Sequence, residues 1–219
     1  MEKLPKINIL YEDNHLLVVI KPKNIPVQKD KSNDTDLLSI LKDYLKEKYH
    51  KNGDAYLGLV HRLDRPVSGI MVFAKTSKSA KRLSEQIRNR SFKKTSKAIV
   101  HGLLKNKKGT LKNYLLKDEG KNKSFAVQEG TKNAKLAVLD YEVISENKAD
   151  NTSIVEVELH TGRHHQIRLQ FANIGHPLVG DSKYGKDKGL SNVALWSYKL
   201  KFKHPTKDEE MEFTLEPKM

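Results

Sequence analysis

The chain has 219 residues, of which 37% are hydrophobic and 31% charged, and its formal net charge is +14. This length is enough for one large domain with a sizeable core. The absence of cysteine excludes disulfides, thiolate zinc sites and cysteine nucleophiles. No apolar run approaches the roughly 18 residues that cross a bilayer. The first five residues lack the apolar core of a signal peptide, so we expect a cytoplasmic protein without membrane contact.

The positive charge favours a polyanionic partner, most simply nucleic acid. The lysines are spread along the chain, so a disordered basic tail is not predicted. Lysines that only keep a protein in solution are the alternative explanation.

The N-terminal part of the sequence predicts a β-hairpin and then a helix. Apolar runs at 7–11 and 16–20 flank a polar tetrapeptide, the pattern of two antiparallel strands. Pro22 ends the second strand, because proline cannot donate to a strand ladder. Asp34 or Thr35 is predicted to cap the helix. The apolar face of that helix has helical spacing and is formed by Leu37, Leu38, Leu41, Tyr44 and Leu45.

The rest of the chain predicts mostly strands. Buried strands are expected at 56–60 and 70–74, and Thr76 or Ser77 then caps a helix that buries Ala80, Leu83 and Ile87. A helix at 166–173 is predicted to close at Gly175. Further strands are predicted at 92–104, 111–116, 124–128, 134–144, 154–160, 194–202 and 211–215.

This balance of strands and helices predicts an α+β fold class, with a mainly antiparallel mixed sheet and flanking helices. The simplest organisation is a single domain over residues 1–219, with two lobes that meet at a central active-site cleft. No convincing linker or repeat interrupts the sequence.

The densest group of reactive side chains is His61-Arg62-Leu63-Asp64-Arg65-Pro66-Val67-Ser68-Gly69. One acid lies between two arginines, and neighbouring cations hold a carboxylate in its ionised form. Because the flanking segments are predicted strands, the acid would lie on a fixed loop, where it is a candidate nucleophile or base. An ordinary surface ion pair is the alternative.

A second group is Leu159-His160-Thr161-Gly162-Arg163-His164-His165-Gln166-Ile167-Arg168. Its guanidinium groups suit phosphate oxygens, or one of them can hold an acid elsewhere as a carboxylate. A metal site at His160 and His164 is disfavoured, because no acid nearby completes a ligand set. The chain lacks a Walker loop and a GxGxxG motif, so nucleotide cofactors are not expected.

Several blocks, in family order, resemble the RluA-type RNA pseudouridine synthases. The first runs from Tyr11-Glu12-Asp13 to Lys21-Pro22, and the second is His61-Arg62-Leu63-Asp64 with Ser68-Gly69 and Ala74-Lys75. The third is the arginine and histidine group with the segments that follow it, Gly175-His176-Pro177, Gly180-Asp181 and Tyr184-Gly185. The closing residues Leu200, Phe202, His204 and Pro205 also fit. The resemblance implies a pseudouridine synthase fold without an N-terminal S4 domain, since the pattern begins almost at Met1.

The resemblance also implies roles for individual residues. Asp64 falls on the catalytic aspartate, Arg168 on the arginine that pairs with it, and Arg62 on the arginine that fills the gap left by a flipped nucleotide. His61, Arg163 and Gln166 are expected to bind substrate. The implied reaction converts uridine to pseudouridine in structured ribosomal or transfer RNA. We expect no cofactor, no metal ion and a monomer.

One position departs from the family pattern. The family carries a tyrosine in Lys-x-Tyr-x-Ala, and Ser96 stands at that position in Lys94-Thr95-Ser96-Lys97-Ala98. A serine hydroxyl cannot stack on a base and is a far weaker acid than a phenol. Phe92 would face the same side of a strand but is not expected to replace the tyrosine. The alternative function is therefore a catalytically impaired RNA-binding homologue. A deaminase or glycosidase would need a metal ion or a second acid near Asp64.

Overall fold

The computed structural model describes residues 7–50, 52–187 and 192–217. The described chain forms two compact units. Unit 1 contains the residues up to Lys93 and those from Ser197 onward, and unit 2 contains Lys94–Trp196. The first five residues, which carried the signal-peptide argument, lie outside the described part. The single domain over residues 1–219 stays a prediction.

Fourteen elements are found in the described part of the chain. The helices are α1 (Leu37–Lys48), α2 (Ser77–Arg88) and α3 (Gln166–Asn173). The strands are β1 (Asn8–Glu12), β2 (Leu16–Lys21), β3 (Gly58–Leu59), β4 (Ser68–Ala74), β5 (Lys93–His101), β6 (Lys108–Asp118), β7 (Lys123–Val127), β8 (Lys135–Asn147), β9 (Thr152–Leu159), β10 (Leu195–Lys203) and β11 (Glu210–Thr214).

Unit 1 is built on strands in the order β1-β2-β4-β10. The β1–β2, β2–β4, β3–β4 and β10–β11 pairs are antiparallel, so the predicted hairpin is confirmed. Strands β2 and β4 are almost wholly buried, because apolar residues occupy both of their faces. The core of this unit contains Leu16, Val18, Ile70, Val72, Leu83, Leu200 and Phe202.

Three details of unit 1 differ from the sequence prediction. The Asp36 carboxylate caps α1 by accepting bonds from the Ser39 amide and hydroxyl at 3.1 and 2.7 Å, so the prediction of Asp34 or Thr35 is wrong. The strand predicted at 56–60 is only the two residues of β3. The predicted cap Thr76 of α2 is confirmed, but Ile87 at the end of that helix is 36% exposed rather than buried.

Unit 2 is an antiparallel sheet in the order β5-β9-β8-β6-β7, with α3 packed against it. Leu169 of α3 lies in a small core with Leu115 and Ala137. Helix α3 spans the predicted residues, and Gly175 follows it with φ of +85°, a conformation that glycine adopts without strain.

The predicted α+β class and mainly antiparallel sheet are confirmed. Strands β6 and β5 shift against the prediction, since β6 already begins at Lys108 and β5 ends at His101. Within the described residues, no helix is both long and apolar enough to span a membrane.

Candidate active site

Asp64 lies half-buried on the loop that joins β3 to β4. Its backbone carbonyl accepts a hydrogen bond from the Val67 amide at 3.0 Å, which closes a tight turn around Arg65 and Pro66. The Arg65 carbonyl in turn accepts a bond from the Asn24 amide at 2.8 Å. The carboxylate therefore projects from a loop whose backbone is tied to the turn after β2.

A buried lysine supports the same loop. Lys21, the last residue of β2, is 0% exposed. Its Nζ donates to the carbonyls of Pro22, Arg65 and Val67 at 2.8, 3.0 and 2.7 Å, which matches the three donors of an ammonium group. Burial lowers the pKa of Lys21 to about 7, and the nearby Asp64 carboxylate opposes this shift.

Sequence reasoning placed Lys21 in a motif but gave it no role. The available signal was a lysine at the end of an otherwise apolar strand and directly before a proline. Such a lysine must either reach solvent or find buried acceptors.

The two arginines beside Asp64 differ in their surroundings. Arg65 donates from Nε to the Asn24 carbonyl at 3.1 Å, and its guanidinium pairs with Asp34. Arg65 is thus part of a surface ion pair, the alternative that the sequence left open for this motif. Arg62 is exposed to solvent.

His61 packs into unit 1 at the start of the loop. Its Nε2 accepts a hydrogen bond from the Val72 amide at 3.1 Å, so a neutral ring carries its proton on Nδ1. The His61 ring lies 5.5 Å from that of Phe92, which stacks on Phe202 at 5.2 Å. Phe92 precedes β5 and packs against the core of unit 1, so it does not occupy the strand on which Ser96 lies.

Ser96 lies inside β5 in unit 2 and is 2% exposed. It is opposite Val157 of β9, and it shares the buried face of its strand with Ala98 and Val100. Ser96, which the sequence pattern predicts to stand at the family's tyrosine position, therefore adds only a small hydroxyl to a buried sheet face.

Arg168, in the first turn of α3, is held by a buried acid. Its Nε and Nη2 donate to the two carboxylate oxygens of Asp181 at 2.7 and 2.8 Å, and both side chains are nearly inaccessible to solvent. Burial alone would raise the pKa of Asp181, but the hydrogen bond and charge of Arg168 lower it. The Asp181 carboxylate also accepts from the Lys183 and Tyr184 amides. The sequence analysis included Asp181 in a motif but predicted no role for it.

The turn before α3 is organised by Gln166, which is 3% exposed. Its Oε1 accepts bonds from the Thr161 hydroxyl and the Arg163 amide at 2.8 and 3.0 Å, and its Nε2 donates to the Val138 carbonyl. Arg163 is exposed and donates from Nε to the Leu136 carbonyl. Of the two expected substrate-binding residues in this turn, Gln166 is a buried support of the backbone and Arg163 is an accessible cation.

The histidines of this segment bind different partners. His160 Nε2 lies 2.6 Å from an Asp140 carboxylate oxygen, whereas His164 Nδ1 lies 2.9 Å from the Ser124 hydroxyl. Among the described residues, no group of three or more histidine, aspartate or glutamate side chains could hold a metal ion.

Comparison with known proteins decides the family. The family model described as RNA pseudouridylate synthase matches residues 15–173. The chain belongs to this family. A Bacillus subtilis protein named uncharacterized RNA pseudouridine synthase YhcT is 38% identical over 93% of this chain, which spans 66% of that protein. The ribosomal large subunit pseudouridine synthase D of Zymomonas mobilis is 32% identical, with 96% of this chain and 69% of that protein covered.

The fold agrees with this membership. The structure of human RNA pseudouridylate synthase domain containing 4 superposes with a TM-score of 0.79, at 24% identity, over 96% of this chain and 89% of that one. The RluA-type resemblance and the pseudouridine synthase fold are thus confirmed, and the family is one of isomerases that act on RNA. The roles of Asp64, Arg168, Ser96 and the substrate-binding residues stay predictions.

Proposed function

We propose that this protein isomerises specific uridines to pseudouridine in structured ribosomal or transfer RNA, with Asp64 as the catalytic aspartate. A ribosomal substrate is supported by the name of the Zymomonas relative, a ribosomal large subunit pseudouridine synthase. The net charge of +14 supports a polyanionic ligand. We also propose that it acts as a cytoplasmic monomer. We propose further that it uses no metal or cofactor; this agrees with a reaction that has no net oxidation, reduction or group addition.

The reaction conserves all atoms. The bond between N1 of uracil and C1′ of ribose breaks, the base turns, and C5 forms a new bond to C1′. C5 then loses a proton and N1 gains one. The target base must first leave its stack at a cost of a few kcal/mol, which contacts between basic residues and phosphates offset. In this proposal Arg62 fills the gap, and His61, Arg163 and Gln166 form or brace the substrate site.

The observation that supports Asp64 most is the construction of its loop. The loop carbonyls of Arg65 and Val67 share one buried donor, Lys21 Nζ. A functional side chain on a braced loop needs little ordering when the substrate binds. We propose that Arg168 acts with Asp64 and keeps it ionised as RNA excludes water.

The test is release of tritium from RNA that contains 5-tritiated uridine. The wild type should release tritium, and Asp64→Asn should reduce release to background because it removes the charge with little change in shape. Asp34→Asn is the matched control, since Asp34 is an exposed acid of the same unit that pairs with Arg65. Equal release by the wild type and Asp64→Asn would reject the assignment of Asp64.

The second candidate is an RNA-binding homologue without catalytic activity. The small, buried Ser96 at the tyrosine position favours it. It predicts salt-dependent RNA binding and no pseudouridine, with activity appearing in Ser96→Tyr. A wild type that already forms pseudouridine would exclude this candidate. Mapping pseudouridine in total RNA from cells with and without the gene would identify the target.

A further inference from the structure

Strand β7 exposes an aromatic ring at the end of the unit 2 sheet, where it pairs with β6. Neighbouring side chains of a strand face opposite sides. Ser124 is buried and bonds to His164, whereas Phe125 is 39% exposed. A single exposed apolar side chain is common on protein surfaces and needs no explanation by itself. The residues around the ring therefore decide whether it can form part of a binding site.

Two ammonium groups flank the ring. Lys121 Nζ and Lys123 Nζ lie 6.0 and 5.9 Å from the centroid of Phe125, within the range of cation–π contacts. Residues 108–135 contain seven lysines against three acids. A protein partner would favour an interface core depleted of charge. A π-face between cations instead suits a nucleic acid, which offers bases and phosphates together.

The Phe125 ring is connected to Arg168 through contacts of Lys123 and Tyr184. Lys123 Nζ lies 5.0 Å from the centroid of the Tyr184 ring, and the Arg168 guanidinium lies 5.4 Å from the same centroid. Tyr184 also packs against the small core that holds α3. Lys123 and Tyr184 are thus the only side chains between Phe125 and Arg168 in this series of contacts, so a nucleotide that adjoins a uridine bound beside this part of α3 would lie close to β7.

We propose that Phe125, flanked by Lys121 and Lys123, is a stacking platform for an unpaired base next to the target uridine, and that the two ammonium groups contact adjoining phosphates. The inference rests on the proposed function, since it takes structured RNA as the ligand. Stacking accepts any base, because every base has a π-face. The platform therefore adds affinity and orientation rather than sequence choice.

The test is fluorescence anisotropy with a labelled RNA hairpin that has a uridine-rich loop, and with a fully paired RNA duplex as the second probe. All variants carry Asp64→Asn, so that turnover does not alter the probe. Phe125→Ala should weaken hairpin binding about 5- to 150-fold, the range of one base–aromatic stack, and should leave duplex binding unchanged. Phe125→Trp should retain hairpin affinity. Phe125→Leu should behave like the alanine variant, because leucine keeps apolar bulk without a π-face.

Two further measurements separate stacking from charge and from folding. Lys123→Gln should weaken binding to both probes and lower the slope of log affinity against log salt by about one. Ile144→Ala truncates an apolar side chain of the same unit that is 50% exposed, and should bind like its parent. Hairpin binding by Phe125→Ala or Phe125→Leu equal to that of the parent would overturn the proposal. Tritium release by the wild type tests the function separately, so either idea can fail alone.

Discussion

Replacing Lys21 by methionine tests whether the buried amine serves activity or only stability. The change removes the donor to the Pro22 and Val67 carbonyls, while the Arg65 carbonyl keeps its bond from the Asn24 amide. Leaving these two carbonyl acceptors without a donor should lower the free energy of unfolding by about 2–6 kcal/mol in total. The same change removes an amine whose pKa burial lowers from 10.5 to about 7, which corresponds to ~5 kcal/mol of unfavourable burial at neutral pH.

These two contributions oppose one another, so the free energy of unfolding of Lys21→Met should lie within about 3 kcal/mol of the wild-type value at pH 7. Activity should fall steeply, because the loop carbonyls lose their shared donor and Asp64 loses a neighbouring cation. Urea denaturation measures the first quantity and tritium release the second. Lys29→Met, which changes an exposed lysine of the same unit, is the control for both.

The pH dependence gives an independent check. Between about pH 7 and pH 10 the unfolded chain holds a proton on Lys21 that the folded protein has lost. The free energy of unfolding should therefore rise with pH in the wild type, by up to ~5 kcal/mol. In Lys21→Met this component of the rise should be absent. Parallel pH profiles for the two proteins, or full activity in the variant, would refute the reasoning.

Three other changes probe the surrounding structure. Asp181→Asn should cost about 3–5 kcal/mol in urea denaturation, because it leaves the Arg168 charge buried without its carboxylate; a loss below about 1 kcal/mol would contradict this. Gly69→Ala should lower the melting temperature sharply, since φ is +135° and an added Cβ would lie less than 3.0 Å from the Ser197 backbone; an unchanged melt would count against it. Burial raises the pKa of Glu12, but hydrogen bonds from Lys48, Lys75 and two tyrosines outweigh it and lower the pKa to about 2. The free energy of unfolding should therefore fall by ~3 kcal/mol as the pH falls from about 4.5 to 2. Denaturation profiles that coincide for the wild type and Glu12→Gln over that range would show otherwise.

Local sequence patterns predicted the elements whose signals are local. The hairpin of β1 and β2, the Thr76 cap of α2 and the close of α3 at Gly175 all depend on residues within a few positions. The cap of α1 does not. Asp34, Thr35 and Asp36 all offer capping oxygens, and the choice follows from distant bonds, in which the Leu37 and Leu38 amides donate to the carbonyls of residues 26 and 27.

The supports of the candidate site were harder to predict, because they connect distant parts of the chain. Lys21 Nζ bonds to carbonyls 44 and 46 positions away. Asp181 lies 13 residues after Arg168, beyond the end of α3. Motif resemblance located Asp64 and Arg168, whereas the groups that hold them became visible only when the fold brought them together.

The two supports follow one physical rule. In unit 1 a buried cation braces the loop of the proposed catalytic acid, and in unit 2 a buried acid orients the proposed catalytic cation. The backbone of the Asp64 loop and the Arg168 side chain are ordered when their own units fold, so that part of the conformational entropy is already lost before RNA arrives. The free energy of RNA binding is then available to extrude the target base, because neither the loop nor the guanidinium has to be ordered in the same step. A buried, partly compensated charge lowers stability, and retaining one beneath each side chain is the expected cost of that preorganisation.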